Sequence, residues 1–534
     1  MNETHSMTEY DAIIVGAGFA GMAMLHRLRS AGRTARVLEA ASGVGGTWYW
    51  NRYPGARCDV ESMEYSYQFD DELQQQWEWS EKYATQPEIL IYANHVADRF
   101  DLRRDIQFDT RVHSAVFDEA ATRWTVTTEN GVYSAQFVIM ATGCLSSTNT
   151  PAFAGIDSFT GPTYHTGQWP HDGVDFTGKR VGIIGTGSSS IQSIPIIAEQ
   201  AAELTVFQRT ANYSVPAHNG ALDPQFVHEI KTTYAEFRAD NSLMPGAFGA
   251  RTPRGDTSAL EATAQEIEAD LEQRWQRGGL TFLGGFNDFL LSADANEIAA
   301  EFVRNKIRSI VTDPATAELL CPHHVIGCKR LCVDTGYYAT FNRPNVHLVD
   351  VSKNPIETLT TAGLRTGGVD YEFDCIVFAT GFDAMTGTLL KIDVRGVDGI
   401  TLQDAWSAGP RTYLGLNVHG FPNFFTISGP GSPSVLSNMM VSIEQHVHWI
   451  GDCIDAIEAK GAKAIEATEA AQTEWVDVVN LIASATLVHN CNSWYLGANV
   501  PGKTRVFMPF LGFPMYVEVC DDVVANDYRG FVMS

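Results

Sequence analysis

Two glycine clusters in the sequence have a spacing that suits contact between the main chain and a phosphate group. The first contains Gly16, Gly18 and Gly21, and the second contains Gly185 and Gly187. In such clusters one glycine permits a tight turn, the next lets the main chain approach a pyrophosphate, and the third lets a helix pack closely on its strand. The two clusters therefore predict two dinucleotide sites, each with the phosphates at a helix N-terminus.

A charged residue after each cluster indicates which dinucleotide binds there. Glu39 follows the first cluster by about 20 residues, where a carboxylate can accept hydrogen bonds from ribose hydroxyls. Arg209 occupies the corresponding place after the second cluster, where an arginine suits a 2′-phosphate. The second site is therefore expected to prefer NADP over NAD, with a solvated arginine at a strand end as the alternative. Ser190 replaces the third glycine of the second cluster, so we expect a looser contact between helix and strand there.

Both clusters lie between a predicted strand and a predicted helix. Apolar runs at residues 12–15 and 181–184 lead into the clusters, apolar helical patterns follow them, and second strands are expected at residues 35–38 and 204–207. This order is the opening of a doubly wound nucleotide-binding sheet. The predicted fold class is α/β, with two doubly wound dinucleotide-binding domains and a helical insert.

The later part of the chain predicts how these domains are divided. Helical periodicity dominates residues 214–328, for example at Leu260, Ala264, Ile267, Leu271 and Trp275. Strand-like runs resume at residues 346–349 and 375–378, and Ala-Thr-Gly triplets at 141–143 and 379–381 are interpreted as crossings between domains. We expect a first domain from residues 1–147 and 382–534, a second from 148–213 and 329–381, and an insert at 214–328.

Composition limits the possible partners and the compartment. The chain has 534 residues, 45% of them hydrophobic, and a net charge of -26. Such a charge disfavours nucleic acid and anionic membranes as partners. Residues 1–10 lack the pattern of a signal peptide, and glycines interrupt the longest apolar stretch, at residues 12–25, so a cytoplasmic protein is expected. Nine cysteines without a Cys-X-X-Cys pair predict reduced thiols, no structural zinc or other metal, and no dithiol oxidoreductase.

Two further stretches are distinctive. Residues 45–59 read GGTWYWNRYPGARCD, and residues 159–170 read FTGPTYHTGQWP. The second stretch resembles the FxGxxxHxxxWP fingerprint of type I Baeyer-Villiger monooxygenases, and the first resembles their companion motif, which ends in an aspartate. The resemblance extends over nearly the whole chain, including residues 328–331, 429–434 and 493–495, and is greatest to the phenylacetone and steroid monooxygenases.

This resemblance implies FAD and NADPH as cofactors and a ketone with O2 as substrates. It implies conversion of the ketone to an ester or lactone through a flavin peroxide, in a monomer or weak homo-oligomer. By resemblance, Arg330 supplies the fixed positive charge that the peroxide and the alkoxide require, since an arginine does not give up its proton. Asp59 is expected to position Arg330, and Lys329 to assist Arg209.

The resemblance also assigns His165 and Trp169 to the catalytic set, as a linker that couples the two domains, and Trp494 to a segment that closes over the nicotinamide and substrate. A structural histidine and a core tryptophan remain alternatives for His165 and Trp494. The residues expected to bind the cofactors are Gly16, Gly18, Gly21, Glu39, Gly46, Thr47, Trp48, Asp59, Gly185, Thr186, Gly187, Ser188, Ser189, Arg209, Thr210, Lys329 and Trp494. The residues expected to line the substrate pocket are Ser434, Val435, Leu436 and Met439.

Two other functions are compatible with the glycine clusters. A flavin monooxygenase that oxidises sulfur or nitrogen atoms would share both clusters and a similar linker, but the linker would not end in Trp169-Pro170. A flavin-binding redox sensor would need no substrate, and Arg330 with Asp59 would then have no task. NADPH consumption stimulated by a ketone distinguishes the enzyme from the sensor.

Overall fold

The computed structural model describes residues 7–503 and 508–534. Residues 1–6, on which part of the prediction about export rests, lie outside this range. In the described ranges there are twenty strands: β1 (Thr8–Val15), β2 (Ala35–Leu38), β3 (Ile106–Gln107), β4 (Val112–Asp118), β5 (Arg123–Thr128), β6 (Gly131–Met140), β7 (Thr163–His165), β8 (Arg180–Ile184), β9 (Glu203–Gln208), β10 (Ser214–Pro216), β11 (Cys332–Asp334), β12 (Val346–Asp350), β13 (Ile356–Leu359), β14 (Gly363–Thr366), β15 (Val369–Glu372), β16 (Cys375–Phe378), β17 (Asp393–Arg395), β18 (Phe424–Thr426), β19 (Ile465–Ala467) and β20 (Phe531–Met533).

The same ranges contain fifteen α-helices: α1 (Phe19–Ser30), α2 (Thr47–Trp50), α3 (Asp71–Gln76), α4 (Gln86–Arg99), α5 (Ser188–Gln200), α6 (Pro224–Thr232), α7 (Tyr234–Ser242), α8 (Ala264–Arg277), α9 (Ala293–Ile310), α10 (Pro314–Leu320), α11 (Tyr337–Thr340), α12 (Leu402–Ala405), α13 (Met439–Ala459), α14 (Glu469–Ser484) and α15 (Phe513–Ala525). Short 3-10 turns separate some of them. Two of these turns, Ser434–Leu436 and Trp494–Leu496, contribute to the site described below.

The first sheet has eight strands and combines the two ends of the chain. Its order is β17-β4-β5-β6-β1-β2-β3, and β18 pairs with the end of β6. Strands β1, β2, β3 and β6 run parallel, whereas β4, β5 and β6 form an antiparallel meander. Strand β1 is fully buried at residues 12–14, which explains the apolar run at the end of this strand.

The second sheet is wholly parallel, in the order β12-β9-β8-β16-β7. Four of its strands contain the apolar runs that the sequence predicts at residues 181–184, 204–207, 346–349 and 375–378. The prediction of an α/β fold built on two largely parallel sheets is therefore confirmed.

Helices α6 to α10 lie between β10 and β11, in the stretch where the sequence predicts a helical insert. Helix α8 begins at Ala264, because the Thr263 side chain and Glu266 form a reciprocal capping box at that point. Leu260, which the helical periodicity includes, lies before this cap with 54% of its surface exposed. The prediction of a helical position was therefore wrong for Leu260, whereas Ile267, Leu271 and Trp275 lie on the buried face of the helix as predicted.

The cysteines differ from the prediction of reduced thiols. Cys328 and Cys491 form a disulfide, with their Cα atoms 5.8 Å apart, and seven other cysteines are free and buried. Pairing was missed because the two cysteines are 163 residues apart in sequence. Separately, none of the helices in the described ranges combines the length and apolar character needed to cross a membrane.

Candidate active site

The first glycine cluster forms a cradle at the start of α1. A Cβ atom on Gly21 would lie 1.8 Å from the Gly16 carbonyl oxygen, and one on Gly46 would lie 2.8 Å from the Gly18 Cα atom. No side chain fits at these positions, so two main-chain segments approach each other there. Helix α1 begins after Gly18 without a side-chain cap, which leaves its first N–H groups available to a phosphate. The cradle fits a dinucleotide.

Glu39 lies beside this cradle and is almost fully buried. Its carboxylate accepts hydrogen bonds from the backbone N–H groups of Ala17, at 2.5 Å, and Ala41, at 2.7 Å. Burial raises the pKa of Glu39, and these N–H groups oppose that change. Each carboxylate oxygen retains a lone pair for a ribose hydroxyl.

The family motif continues the cradle into helix α2. Thr47 is exposed at the first position of α2, and Trp48 is buried with its ring N–H donating to the Tyr65 hydroxyl at 3.1 Å. Gly46 has a φ of +53°, a conformation that favours glycine. The contacts of Gly46 and Trp48 fix the start of the loop that leads to Asp59.

The second cluster forms a similar cradle at the start of α5. A Cβ atom on Gly185 would lie 2.4 Å from the Ala379 carbonyl oxygen, whereas one on Gly187 would meet open space. Helix α5 also begins at a glycine without a side-chain cap. Ser190 is fully buried, and its hydroxyl has no hydrogen-bond partner among the described residues.

Hydroxyl groups tie this second cradle to neighbouring loops. The Thr186 hydroxyl donates to the Thr210 carbonyl oxygen at 2.8 Å. The Ser188 hydroxyl lies 3.2 Å from the Cys332 Sγ atom, and the Ser189 hydroxyl lies 3.1 Å from that of Thr166. The hydrogen bond between Thr186 and Thr210 therefore fixes the turn after β9, which contains Arg209.

Arg209 and Lys329 bring two positive charges together. Arg209 is exposed, and Lys329 is half-buried. Burial lowers the pKa of Lys329, and the nearby Arg209 charge lowers it further. Within residues 7–503 and 508–534, neither side chain has an acidic partner within ion-pair distance. Two unpaired, mutually repelling cations fit a phosphate group.

Arg330 joins the loop before β11 to the motif that ends at Asp59. Its Nε and Nη2 atoms donate to the two carboxylate oxygens of Asp59, at 2.5 and 2.7 Å, and its Nη1 atom donates to the Val435 carbonyl oxygen at 2.6 Å. The Arg330 side chain is 20% exposed and the Asp59 side chain is 23% exposed. Burial opposes ionisation, but the charge and hydrogen bonds of Asp59 keep the pKa of Arg330 well above its usual value. Arg330 is therefore a permanent cation.

The segment around Trp494 also contacts this arginine. The Tyr495 side chain lies close enough to the Arg330 guanidinium for the two to interact electrostatically; burial raises the pKa of Tyr495 to about 12, and the Arg330 charge opposes that change. Trp494 is partly buried and packs beside Tyr495, with ring centroids 4.4 Å apart. Sequence reasoning missed the contact of Tyr495, and its position next to Trp494 was the available signal.

His165 and Trp169 contact other residues of the second sheet and the turns that follow its strands. The His165 Nδ1 atom accepts from the Gly167 N–H at 3.0 Å, and its Nε2 atom lies 3.3 Å from the Thr380 hydroxyl. Burial lowers the pKa of His165, which favours the neutral ring. Trp169 packs on Tyr164 and Phe176 in the core of the second domain. Both side chains hold the linker in place.

Three of the four residues expected to line the substrate pocket, Val435, Leu436 and Met439, lie in one apolar cluster next to Arg330, and the Ser434 hydroxyl contacts Met385 of that cluster. Ser434 is fully buried, Val435 is buried, and Leu436 and Met439 are partly buried. The cluster also contains residues that the sequence did not single out, namely Cys144, Leu145, Val325, Ala384, Met385, Leu496 and Met508. These residues lie in loops and short turns, which no periodicity marks.

Comparison with known sequences agrees with this arrangement. Residues 13–244 match the family model for pyridine nucleotide-disulphide oxidoreductases. The chain is 44% identical over 532 residues to a Baeyer-Villiger monooxygenase of Pseudooceanicola batsensis, covering 98% of this chain and 96% of that protein. It is 41% identical over 534 residues to the phenazine N-monooxygenase PhzNO1 of Lysobacter antibioticus, covering 98% and 97%.

Solved structures show the same fold over the full length. An oxidised steroid monooxygenase bound to NADP is 55% identical with a TM-score of 0.94, over 98% of this chain and 99% of that chain. The complex of OTEMO with FAD and NADP is 40% identical with a TM-score of 0.95, over 100% of both chains. The chain therefore belongs to the Baeyer-Villiger monooxygenase family and is an FAD- and NADP-dependent monooxygenase.

Proposed function

We propose that the enzyme uses NADPH and O2 to convert apolar ketones into esters or lactones at Arg330. The observation that carries this proposal is the bidentate pair between Arg330 and Asp59, at the edge of the apolar cluster and next to Lys329. FAD supplies the oxygen-transfer chemistry when bound, and NADPH supplies its electrons. The protein must then hold the ketone and stabilise the negative charge that develops on oxygen.

Arg330 has the donors for this task. A guanidinium has five N–H donors. Two donate to Asp59, one donates to Val435, and one is available to Tyr495. The remaining N–H can donate to a ketone oxygen as its charge grows. Asp59 fixes the plane of the guanidinium, so little reorganisation is needed during the reaction.

The apolar cluster supports a ketone with a hydrophobic body. We assign Ser434, Val435, Leu436 and Met439 to substrate contact, together with Cys144 and Met385. Their side chains offer few hydrogen-bond partners, because the Ser434 hydroxyl already donates to the Met385 Sδ atom at 3.9 Å. An apolar environment excludes water and strengthens the interaction between Arg330 and a developing oxyanion.

The two cradles receive the cofactors in this proposal. FAD binds to Gly16, Gly18, Gly21, Glu39, Gly46, Thr47 and Trp48, and NADPH binds to Gly185, Thr186, Gly187, Ser188, Ser189, Arg209, Thr210 and Lys329. Trp494 contacts the nicotinamide from its segment beside Arg330. His165 and Trp169 act as positioning residues, since His165 links the strand β7 to Thr380 after β16.

The pairing of strands in the two sheets supports the predicted division of the chain. We place the first domain at residues 1–147 and 382–534, because β17 and β18 pair within the sheet of β1. The second domain comprises residues 148–213 and 329–381, and the insert comprises 214–328. The composition supports a cytoplasmic enzyme, and the family resemblance supports a monomer or weak homo-oligomer.

Oxygenation of nitrogen is a second candidate function, because one full-length relative is a phenazine N-monooxygenase. Incubation with NADPH and O2 tests both candidates in one assay. A panel of aromatic, cyclic and steroid ketones is compared with thioethers and aromatic nitrogen heterocycles, and products are identified by mass spectrometry. Esters or lactones are expected as main products. N-oxides or sulfoxides formed in place of esters would reject the ketone assignment.

A further inference from the structure

The stretch from Cys491 to Lys503, called here the Trp494 segment, is attached to the rest of the protein at both ends. At its far end, the Asn499 side chain donates to the Phe382 carbonyl oxygen at 2.7 Å. The Lys503 ammonium forms an ion pair with Asp383. These contacts hold residues 499–503 against the crossing between the two domains.

The near end of the Trp494 segment is held by a covalent bond. Cys491 forms the disulfide with Cys328, which directly precedes Lys329 and Arg330. Cys491 in turn precedes Trp494 by three positions. The bond therefore joins the loop that carries two functional cations to the segment that carries Trp494. Both cysteines are buried in the apolar cluster beside Val435.

We propose that the disulfide between Cys328 and Cys491 is a redox-controlled tether of the Trp494 segment. In the oxidised protein it holds Trp494 and Tyr495 against the Arg330 loop and strengthens NADP binding. In the reduced protein the near end is released, while Asn499 and Lys503 keep the far end attached. The proposal depends on the NADP site and not on the identity of the ketone.

The chemical step is ordinary thiol–disulfide exchange. A thiolate of a dithiol reductant attacks one sulfur atom, which forms a mixed disulfide and releases the other cysteine as a thiolate that takes up a proton. The second thiol of the reductant then displaces the first cysteine and becomes part of a cyclic disulfide. Two electrons and two protons pass to the protein in all. Glutathione disulfide, as the oxidant, reverses the reaction.

The nearby cysteines are poor partners for thiol–disulfide exchange with the bond between Cys328 and Cys491. Cys144 belongs to the same apolar cluster, and Cys332 lies two residues after Arg330. Burial raises the pKa of the Cys144 thiol, and it raises the pKa of Cys332 to about 12. Because the thiolate is the attacking species, these thiols exchange slowly with the disulfide. The tether therefore responds to an external reductant and not to its neighbours.

Thiol titration in denaturant establishes whether the tether exists. Protein oxidised with glutathione disulfide is expected to show seven free thiols per chain. After a dithiol reductant it should show nine. Nine free thiols in the oxidised sample would overturn the proposal.

The functional test compares NADP binding and hydrogen exchange in the two redox states. Reduction should raise the dissociation constant for NADP by about tenfold, within the range usual for coupled sites. It should also speed amide exchange in residues 487–498 and leave FAD bound. Equal NADP affinity and equal exchange in both states would reject the tether. None of these measurements requires ketone turnover.

Serine variants provide the matched controls. Cys328→Ser and Cys491→Ser should each resemble the reduced wild-type protein and lose any response to the reductant. Cys321→Ser removes a thiol of the helical insert and should retain the full response. If the first two variants fail to bind FAD, the comparison between oxidised and reduced wild-type protein still decides the question. A response that persisted in the Cys328→Ser protein would place the redox effect elsewhere.

Discussion

Replacing Arg330 with alanine is expected to separate cofactor binding from chemistry. The change removes hydrogen bonds of 2.5, 2.7 and 2.6 Å and the guanidinium charge that Asp59 positions beside the apolar cluster. Loss of one preorganised donor to a developing oxyanion typically costs about 2.7–4 kcal/mol, or roughly a hundredfold to a thousandfold in rate. Ester formation should fall by that factor. FAD should remain bound, because Glu39 and its glycine cluster are untouched.

Stability should fall less than activity in this variant. Removing one member of a buried ion pair costs about 3–5 kcal/mol. Asp59 is 23% exposed and regains some hydration, so we expect a loss of about 1–3 kcal/mol in the free energy of unfolding. Thermal unfolding followed by flavin fluorescence measures this loss. The fold should therefore survive at room temperature.

The assay for Arg330→Ala is the ester yield per NADPH consumed, combined with anaerobic flavin reduction followed by absorbance. Arg330→Lys should restore little, because one ammonium cannot bridge both oxygens of Asp59 and the Val435 carbonyl. Asp59→Ala should be impaired in the same direction, since it leaves the arginine unpositioned. An Arg330→Ala enzyme that formed ester at nearly the original rate would refute this reasoning.

Three further changes test the two cofactor cradles and a buried carboxyl group elsewhere in the protein. Arg209→Ala should weaken NADPH binding by roughly tenfold or more and spare NADH, since a charged hydrogen bond to phosphate contributes about 1.5–3 kcal/mol; equal use of both cofactors by the wild-type enzyme would contradict this. Gly46→Ala should reduce the flavin absorbance of the purified protein, because its Cβ atom would lie 2.8 Å from the Gly18 Cα atom; full FAD content would argue against the cradle. Glu444 on α13 is buried, one of its carboxylate oxygens has no hydrogen-bond partner in the described part of the chain, and burial raises its pKa from 4.5 to about 7. Between these two pH values the folded state keeps a proton on Glu444 that the unfolded state has lost. The contribution of protonated Glu444 to stability is therefore fully present below pH 4.5 and is lost as the pH rises through 7. Glu444→Gln should accordingly increase the free energy of unfolding at pH 8 by up to roughly 3 kcal/mol, which a higher melting temperature would show, and should have little effect at pH 4.5. An equal effect at both pH values would reject the raised pKa of Glu444.

The parallel strands could be predicted closely because burial on both faces requires an apolar run. The observed bounds of β2 and β16 equal the predicted runs at residues 35–38 and 375–378. The start of α8 was missed, because apolar spacing continues to Leu260 while the capping hydrogen bonds of Thr263 determine where the helix begins. Periodicity describes one face of an element and contains no information about its cap.

The site was predicted in part, for a similar reason. Asp59 and Arg330 belong to local motifs, so their residue types were recognisable even though 271 residues separate them. The contact of Tyr495 with Arg330 and the pairing of Cys328 with Cys491 depend on how distant loops meet. No local pattern in the sequence encodes those distances. Cys144 and Met385 were missed for the same reason.

The shared first sheet has a consequence for the order of folding. All five strands of the second sheet lie between residues 163 and 378, so that sheet is complete once this part of the chain has been synthesised. The first sheet still lacks β17 and β18 at that stage, and the end of β6 presents an unpaired edge. During synthesis the second sheet can therefore fold before the first sheet, which is completed only when the last third of the chain has been made. Chaperone binding is accordingly expected at the β6 edge before synthesis ends.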